Sequence, residues 1–328
     1  MDLRALRYLV EVVRHRGFTA ASKALFVTQP TVSKMIKQLE SELGTPLLRK
    51  EGRRIELTDT GRIVFERGQE MLAMHARLQA ELADLNQVAR GELSIGIPPL
   101  ANSLLMPILA RFHRRYPRIE LKLFERGSRT VEEELRSGTL EIGAVLLPLG
   151  EGFDTLPLCS YPLQLIAPAD SRWRGRGEVK LAELAGEPFI FYGEGFVLNE
   201  IVHDACAGAG FSPTIAGRSS QWDFMASMVE AGVGIALLPE LFGRRLDRGR
   251  FAVVPVAHPQ LWWNMGLAWR QGRYLSFAAR AWLDTARSVL TEPAFAAAAG
   301  DPVTPRGDPL TPGGAPALPL PDFPDPQP

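Results

Sequence analysis

Between Phe18 and Gly44 the chain reads FTAASKALFVTQPTVSKMIKQLESELG, a pattern that few folds accommodate. At about 100° per residue, Val32, Ile36, Leu39 and Leu43 fall on one narrow arc of a helix, which must be buried. Thr31, Lys34, Lys37, Gln38 and Ser41 then point away from that arc. Thr28 suits the N-cap, where its hydroxyl can accept a bond from a first-turn amide. Pro30 fits the first turn, where its missing N–H costs no helical hydrogen bond. Thr19 can cap a preceding helix, whose small residues Ala20, Ala21 and Ala24 allow close approach. Upstream, Leu3, Leu6, Val10 and Val13 form another stripe that ends near Gly17. Three helices are expected around one small core, with Phe18 and Leu25 filling it.

The outward face of the second helix of this pair narrows the function. Gln29, Thr31, Ser33 and Lys34 carry hydrogen-bonding groups suited to base edges and phosphates, and no acidic residue occurs from Thr19 to Gln38. A face that met only water would normally mix both signs of charge. Beyond it, Arg49-Lys50-Glu51-Gly52-Arg53-Arg54 reads as a hairpin tip, and Ile55 and Leu57 alternate with Glu56 as in a half-buried strand. Basic groups around a glycine turn suit phosphates beside a groove.

This segment resembles the winged helix-turn-helix of LysR-type transcriptional regulators. The matching residues are Phe18-Thr19, Ala21, Ala24-Leu25, Val27-Thr28-Gln29-Pro30, Val32-Ser33, Ile36, Leu39-Glu40, Leu43-Gly44 and Leu47. Leu47-Leu48 stands where the family usually has Leu-Phe before the wing, a departure that bears on local packing. With Thr28 and Pro30 shaping the helix start, Gln29, Thr31, Ser33 and Lys34 are expected in the major groove. Lys37, Arg53 and Arg54 are expected on phosphates. The resemblance also implies a homodimer or homotetramer on double-stranded promoter DNA, an effector that shifts the spacing between dimers, and RNA polymerase as a further partner.

Net charge is zero over 328 residues, which taken whole argues against a nucleic-acid partner. The distribution reverses that impression: Met1 to Arg90 has 15 Lys+Arg against 11 Asp+Glu, whereas Thr291 to Pro328 has 1 against 5. The basic excess sits where the helix-turn-helix is. Cys159 and Cys206 lie far apart with no histidine in ligand spacing, and read as free thiols, a redox switch being the lesser alternative. Arg4 and Arg7 interrupt an N-terminal run too short for a signal peptide, and no apolar stretch is long enough to cross a bilayer, so a cytoplasmic location is expected.

Thr58 can cap a long helix running to about Gln87, on which Val64, Met71, Leu78 and Leu85 recur every seven residues with Leu82 between. Such a stripe calls for a partner helix, although Gly68 and His75 weaken the seam; the alternative is packing on the chain's own effector domain. From Gly91 the texture alternates. Strands are expected at Leu93–Ile97, Ile119–Glu125, Leu140–Leu147, Gln164–Ile166, Phe189–Phe191 and Gly234–Leu238. Helices are expected at Asn102–Tyr116, Val131–Ser137, Glu200–Ala209 and Ser220–Ala231. Alternation of this kind predicts a parallel sheet covered on both faces. The fold class is therefore an α/β effector domain of two lobes, periplasmic-binding-protein-like, preceded by a winged helix-turn-helix and a long linker helix. The expected division is 1–58 for DNA binding, 59–90 for the linker and 91–290 for the effector domain. Lobe I comprises 91–162 with 265–290, and lobe II comprises 163–264. Residues 291–328, rich in proline and acidic, are expected to be a disordered tail.

In a two-lobed α/β domain a ligand binds where loops leave strand ends and helices begin. Those junctions carry Asn102, Ser103, Gly127, Ser128, Tyr192, Phe196, Gln221 and Trp222. Asn102 and Ser103 at a helix start favour an anionic group such as a carboxylate. Tyr192, Phe196 and Trp222 fit either an aromatic ligand or a lobe core or dimer interface. His15, His75, His113, His203 and His258 are scattered, no nucleophile-elbow context appears, and Glu132 to Glu134 read as a solvated helix face. Neither an enzyme, a metal nor a cofactor is expected.

Overall fold

The computed structural model describes residues 2–51, 54–85, 91–258 and 261–292. Its N-terminal part is α1 (Leu3–Arg14), α2 (Phe18–Ala24), α3 (Gln29–Leu43), the hairpin β1 (Leu48–Glu51) and β2 (Arg54–Leu57), and α4 (Asp59–Leu85). Helix α1 starts where the Asp2 carboxylate accepts the Ala5 N–H at 2.7 Å. Its innermost residues are Leu6, Leu9 and Val12, whereas Leu3 and Val13 of the expected stripe are only partly buried. The shift has a cause: α1 is enclosed on two sides, because α4 also packs on it.

Helix α2 begins at Phe18 after an extended Gly17, so Thr19 lies inside the helix and does not cap it. The Thr19 carbonyl accepts the Ser22 hydroxyl at 2.9 Å. Of the three alanines, only Ala21 is buried at the close approach; Ala20 and Ala24 face out. Helix α3 buries Val32, Ile36 and Leu39, while Leu43 is 38% exposed because the last turn runs past the core. Gly44 closes it with φ +69°, a left-handed cap that glycine adopts without strain.

The join between wing and linker helix depends on a missing side chain. The Thr58 hydroxyl accepts the Gly61 N–H at 2.9 Å and donates to the Pro46 carbonyl at 2.7 Å, which caps α4 as expected. A Cβ on Gly61 would lie 1.9 Å from the Leu47 carbonyl oxygen. Gly68 faces Leu6 of α1, 3.2 Å from where its Cβ would be, and so belongs to the α1 contact and not to a coiled-coil seam. Val64 likewise packs on the helix-turn-helix core. Further along α4, Met71, Met74, Leu78 and Leu82 are exposed. The side chain of Leu85, the last residue of the expected heptad series, lies outside the described side chains.

The C-terminal part has two α/β lobes. The first contains β3 (Gly91–Ile97), α5 (Asn102–Arg115), β4 (Ile119–Glu125), α6 (Ser128–Ser137) and β5 (Ile142–Leu146). The long strand β6 (Phe153–Pro168) leads into β7 (Val179–Lys180), β8 (Pro188–Tyr192), α7 (Val197–Gly208), β9 (Thr214–Ser219), α8 (Trp222–Glu230), β10 (Ala236–Pro239), α9 (Glu240–Gly243) and β11 (Phe251–His258). Then β12 (Trp262–Arg270) and α10 (Phe277–Leu290) return to the first lobe, where Trp282 of α10 packs edge-on against Phe112 of α5 at 5.3 Å.

The eight-stranded sheet that spans the lobes is mixed and not parallel, and β8 with β9 forms a separate two-stranded sheet. Strands β3–β4, β3–β5 and β8–β9 pair in parallel, but β12 runs antiparallel to β5 and β6, and β10 and β11 run antiparallel to β6. Strand β6 explains the difference: Phe153–Pro162 pairs with β12, whereas Leu163–Pro168 pairs with β10 and β11. One continuous strand thus serves both lobes, and its return partner must run the other way. Helices α6 and α7 begin three residues before the expected starts at Val131 and Glu200: α6 opens on the polar Ser128-Arg129-Thr130, whereas α7 opens on Val197 and the buried Leu198. The proline-rich tail expected over 291–328 falls outside the described residues, except for Thr291 and Glu292.

Candidate DNA-binding face and effector cleft

Helix α3 presents Gln29, Pro30, Thr31, Lys34 and Lys37 to solvent, with Ser33 half-buried beside them. Thr28 occupies the N-cap position with extended backbone, yet its hydroxyl caps no amide; it pairs with the Thr31 hydroxyl at 2.8 Å. The pairing leaves two hydroxyls and the Gln29 amide together at the helix start. Glu40, the first acid of the helix, is turned away from this end: its carboxylate accepts the Leu47 and Leu48 N–H groups at 2.8 and 3.2 Å. It thereby ties α3 to the wing. Leu47 is fully buried and Leu48 packs on the same core, so the Leu-Leu pair fills the place without an aromatic ring.

In the wing, Arg49 is bridged to Glu56 across the two strands at 3.0 Å. Arg53 lies outside the described residues; Arg54 begins β2, and its side chain lies outside the described side chains.

The cleft residues of the two lobes meet at glycine. A Cβ on Gly127, the N-cap of α6, would lie 2.5 Å from the Gly195 carbonyl oxygen of lobe II. Ser128 is half-buried beside it. One residue on, Arg129 Nη2 reaches both carboxylate oxygens of Glu200 on α7 at 2.6 Å, closing an ion pair across the lobes. Neither Arg129 nor Glu200 was visible as a site residue in the sequence; each is an ordinary charged residue in the first turn of its helix. At the start of α5, Asn102 is exposed, whereas the Ser103 hydroxyl is buried with no hydrogen-bond partner among the described residues. Buried hydroxyls are normally satisfied, which keeps Ser103 among the candidates at this junction.

The aromatic residues take the other of their two sequence readings. Tyr192 is 2% exposed, stacks on Phe196 at 5.8 Å and donates its hydroxyl to the Leu237 carbonyl at 2.6 Å. Burial holds its phenol well above the usual tyrosine range. Trp222 packs on Phe242 at 5.1 Å. Tyr192 and Phe196 are core of lobe II, and Trp222 is half-buried against that core. Gln221 is exposed just before α8. The loop from Tyr192 to Gly193 is shaped by Asn199, which accepts the Tyr192 N–H at 3.0 Å and donates to the Tyr192 and Gly193 carbonyls. At the crossing, the Ser160 hydroxyl donates to the Asn264 side-chain carbonyl at 2.5 Å, joining outgoing and returning strands.

Where the DNA-binding part faces lobe I, a cleft of about 1120 Å³ is lined by Arg14, Phe65, Gln69, Phe124, Arg126 and Glu134. Here the glutamate run differs from a solvated face. Glu132 pairs with Arg136 at 2.7 Å, and Glu134 is half-buried 4.0 Å from Arg126. Burial pushes the Glu134 carboxyl above its ordinary range, against the opposing pull of Arg126 and Arg14. Both cysteines are buried; burial raises Cys159 to about 12 and Cys206 to about 11. Among the described residues no group of histidine, cysteine and carboxylate could hold a metal ion, and no helix is long and apolar enough to cross a membrane.

A winged helix-turn-helix on a long helix, followed by a two-lobed α/β domain, defines a ligand-responsive DNA-binding regulator. Residues 3–62 match the family model of the bacterial regulatory helix-turn-helix protein, lysR family, and residues 86–291 match the LysR substrate binding domain. The chain belongs to the LysR family of transcriptional regulators. It is 43% identical over 295 residues to the uncharacterized HTH-type transcriptional regulator YwbI of Bacillus subtilis (strain 168), covering 89% of this chain and 98% of that protein. Over 276 residues it is 32% identical to the DNA-binding transcriptional dual regulator OxyR of Escherichia coli (strain K12), covering 83% and 90%. Its fold is similar to that of a full-length OxyR variant from Pseudomonas aeruginosa, with TM-score 0.62 and 26% identity over 88% of this chain and 95% of that one. It is also similar to that of CbnR, a LysR family transcriptional regulator, with TM-score 0.61 and 21% identity over 92% and 100%.

Proposed function

We propose that the chain is a cytoplasmic regulator that acts by binding and not by catalysis, pairing through α4 into a homodimer or homotetramer on double-stranded promoter DNA. The observation that carries this reading is the start of α3: an exposed, acid-free group of amide, hydroxyl and ammonium donors on a helix whose other side buries Val32, Ile36 and Leu39. Gln29, Thr31, Ser33 and Lys34 enter the major groove, with Thr28 and Pro30 setting the helix start and Lys37, Arg53 and Arg54 on phosphates. The exposed Met71, Met74, Leu78 and Leu82 stripe supports pairing, since an apolar stripe on a long helix is stable only against a partner. Residues 1–58 then read DNA, 59–90 join chains and 91–290 sense the effector.

For the effector the unpaired Ser103 hydroxyl at the N-terminus of α5 supports a small ligand with an anionic or carbonyl oxygen, such as a carboxylate. Asn102, Ser128 and Gln221 supply further polar groups at the lobe junctions. Tyr192 and Phe196 give an aromatic ligand no open ring to stack on, and Trp222 is already packed on Phe242. Thiol sensing is disfavoured in this chain because the thiolate is the reactive species, and burial keeps Cys159 and Cys206 protonated. Binding of the full chain to a duplex from upstream of its own gene tests the reading: retention in a gel that random duplex does not compete is expected. Equal competition by random duplex would sink it. A thermal-shift screen of small carboxylates then tests the cleft, since bound ligand raises apparent stability.

A further inference from the structure

Phe26 is 95% exposed, more than any other large apolar side chain among the described residues. Its backbone lies at φ +53°, in the left-handed region that is unusual for any residue but glycine and strained for a bulky one. Folding alone would favour glycine or asparagine at this turn, and a ring in water forgoes the gain of burial. Two hydrogen bonds hold the turn in place: Phe26 N–H to the Lys23 carbonyl at 3.2 Å, and Val27 N–H to the Ser22 carbonyl at 3.0 Å. In the chain the exposed ring stands two residues before Thr28, and Lys23, Gln29, Pro30 and Thr31 close to it in sequence are exposed as well. It thus immediately precedes the residues proposed above to meet DNA, with no acidic group near it in sequence.

We propose that Phe26 is a DNA-contacting residue, packing against apolar surface of the duplex at the margin of the recognition-helix footprint. This rests on the DNA-binding reading above. A phenyl ring offers no hydrogen bond, so its targets in the groove are a thymine methyl group or the adjoining deoxyribose. The contact also accounts for the aromatic side chain being kept at a strained position, since strained residues persist where function requires them.

The test uses the full chain and a duplex from upstream of its own gene. Phe26→Asn keeps a residue that tolerates the left-handed backbone while removing the ring. A melting temperature equal to or above that of the wild type is expected, with affinity reduced roughly tenfold, about the worth of one good apolar contact. The salt dependence should not change, because no phosphate is released or neutralised. Replacing thymidine by deoxyuridine in the duplex separates the targets. If the methyl is the contact, the wild type loses the same affinity and Phe26→Asn loses nothing more; a ring-dependent loss without a deoxyuridine effect assigns the contact to deoxyribose. Affinity within about twofold of the wild type would overturn the proposal. So would a loss that tracks weaker self-association in sedimentation, which would place the ring between subunits. Failure of the wild-type chain to bind any upstream duplex would overturn the regulator reading itself, and this contact with it.

Discussion

The DNA face and the interlobe cleft differ in how many pieces must come together. Gln29, Thr31, Ser33 and Lys34 share the first turns of α3, so helical geometry alone collects them. Ser103, Ser128, Gly195 and Gln221 leave four different junctions on two lobes, and only the crossing of β6 and β12 brings those lobes face to face. A site on one helix depends on that helix being anchored. A site between lobes depends on the contacts that hold the lobes together.

The largest expected effect attacks the anchor. Leu39→Ala empties a fully buried position behind α3 and should cost about 3 kcal/mol in urea denaturation of the DNA-binding part, without touching any groove residue. A cost below about 1 kcal/mol would show that α3 is not held by that core. Next comes the closure. Gly127→Ala places a methyl group against the Gly195 carbonyl and should disfavour the closed lobes by about 2 kcal/mol, seen as a larger radius of gyration in solution scattering. Glu200→Gln at the exposed ion pair should shift closure by under about 1 kcal/mol. If the glutamine variant opened the lobes as far as the alanine variant does, charge and not backbone contact would govern the closure.

On the DNA side, Gln29→Ala should weaken binding to the specific duplex by about 1–3 kcal/mol and leave random duplex nearly unaffected. Lys37→Ala should weaken both and lower the salt slope by about one. An equal loss on both duplexes for Gln29→Ala would remove it from base reading. The smallest effect belongs to Glu134, where the two parts of the chain face each other. Its carboxyl is raised above the ordinary value of 4.5, so the folded state holds the proton more tightly than the unfolded one. The resulting stability is fully present below pH 4.5 and is lost as pH rises through the raised native value. Glu134→Gln should therefore melt above the wild type at neutral pH and match it in acid; a gap that widened in acid would reverse the assignment.

The helix-turn-helix was legible because its information is local. Apolar spacing in α3, the Pro30 start and the Gly44 stop lie within one short stretch of chain. Its errors were local too: Thr28 spends its hydroxyl on Thr31, and Thr19 lies inside α2. In the effector part, alternation revealed α/β lobes but not strand direction, because β11 and β12 pair with a strand about a hundred residues earlier. The cleft was half legible. Loop-to-helix junctions pointed to Ser103 and Ser128 as candidates, but the Arg129–Glu200 pair and the Gly127–Gly195 contact require knowing which loops oppose each other.

By itself, then, the sequence determined the elements and the chemistry each one exposes, since helix periodicity, caps and turn residues act over a few positions. It determined that α3 carries an uncharged-to-basic face and that a long apolar-striped helix follows. Only the tertiary structure decided whether Tyr192, Phe196 and Trp222 would be lining or core, because burial depends on what packs from the opposite side. It also decided which of the α4 residues pack on α1 and which are exposed. Gly68 and Val64 go inward, and Met71, Leu78 and Leu82 stay out, a division set by where α1 crosses and not by the repeat.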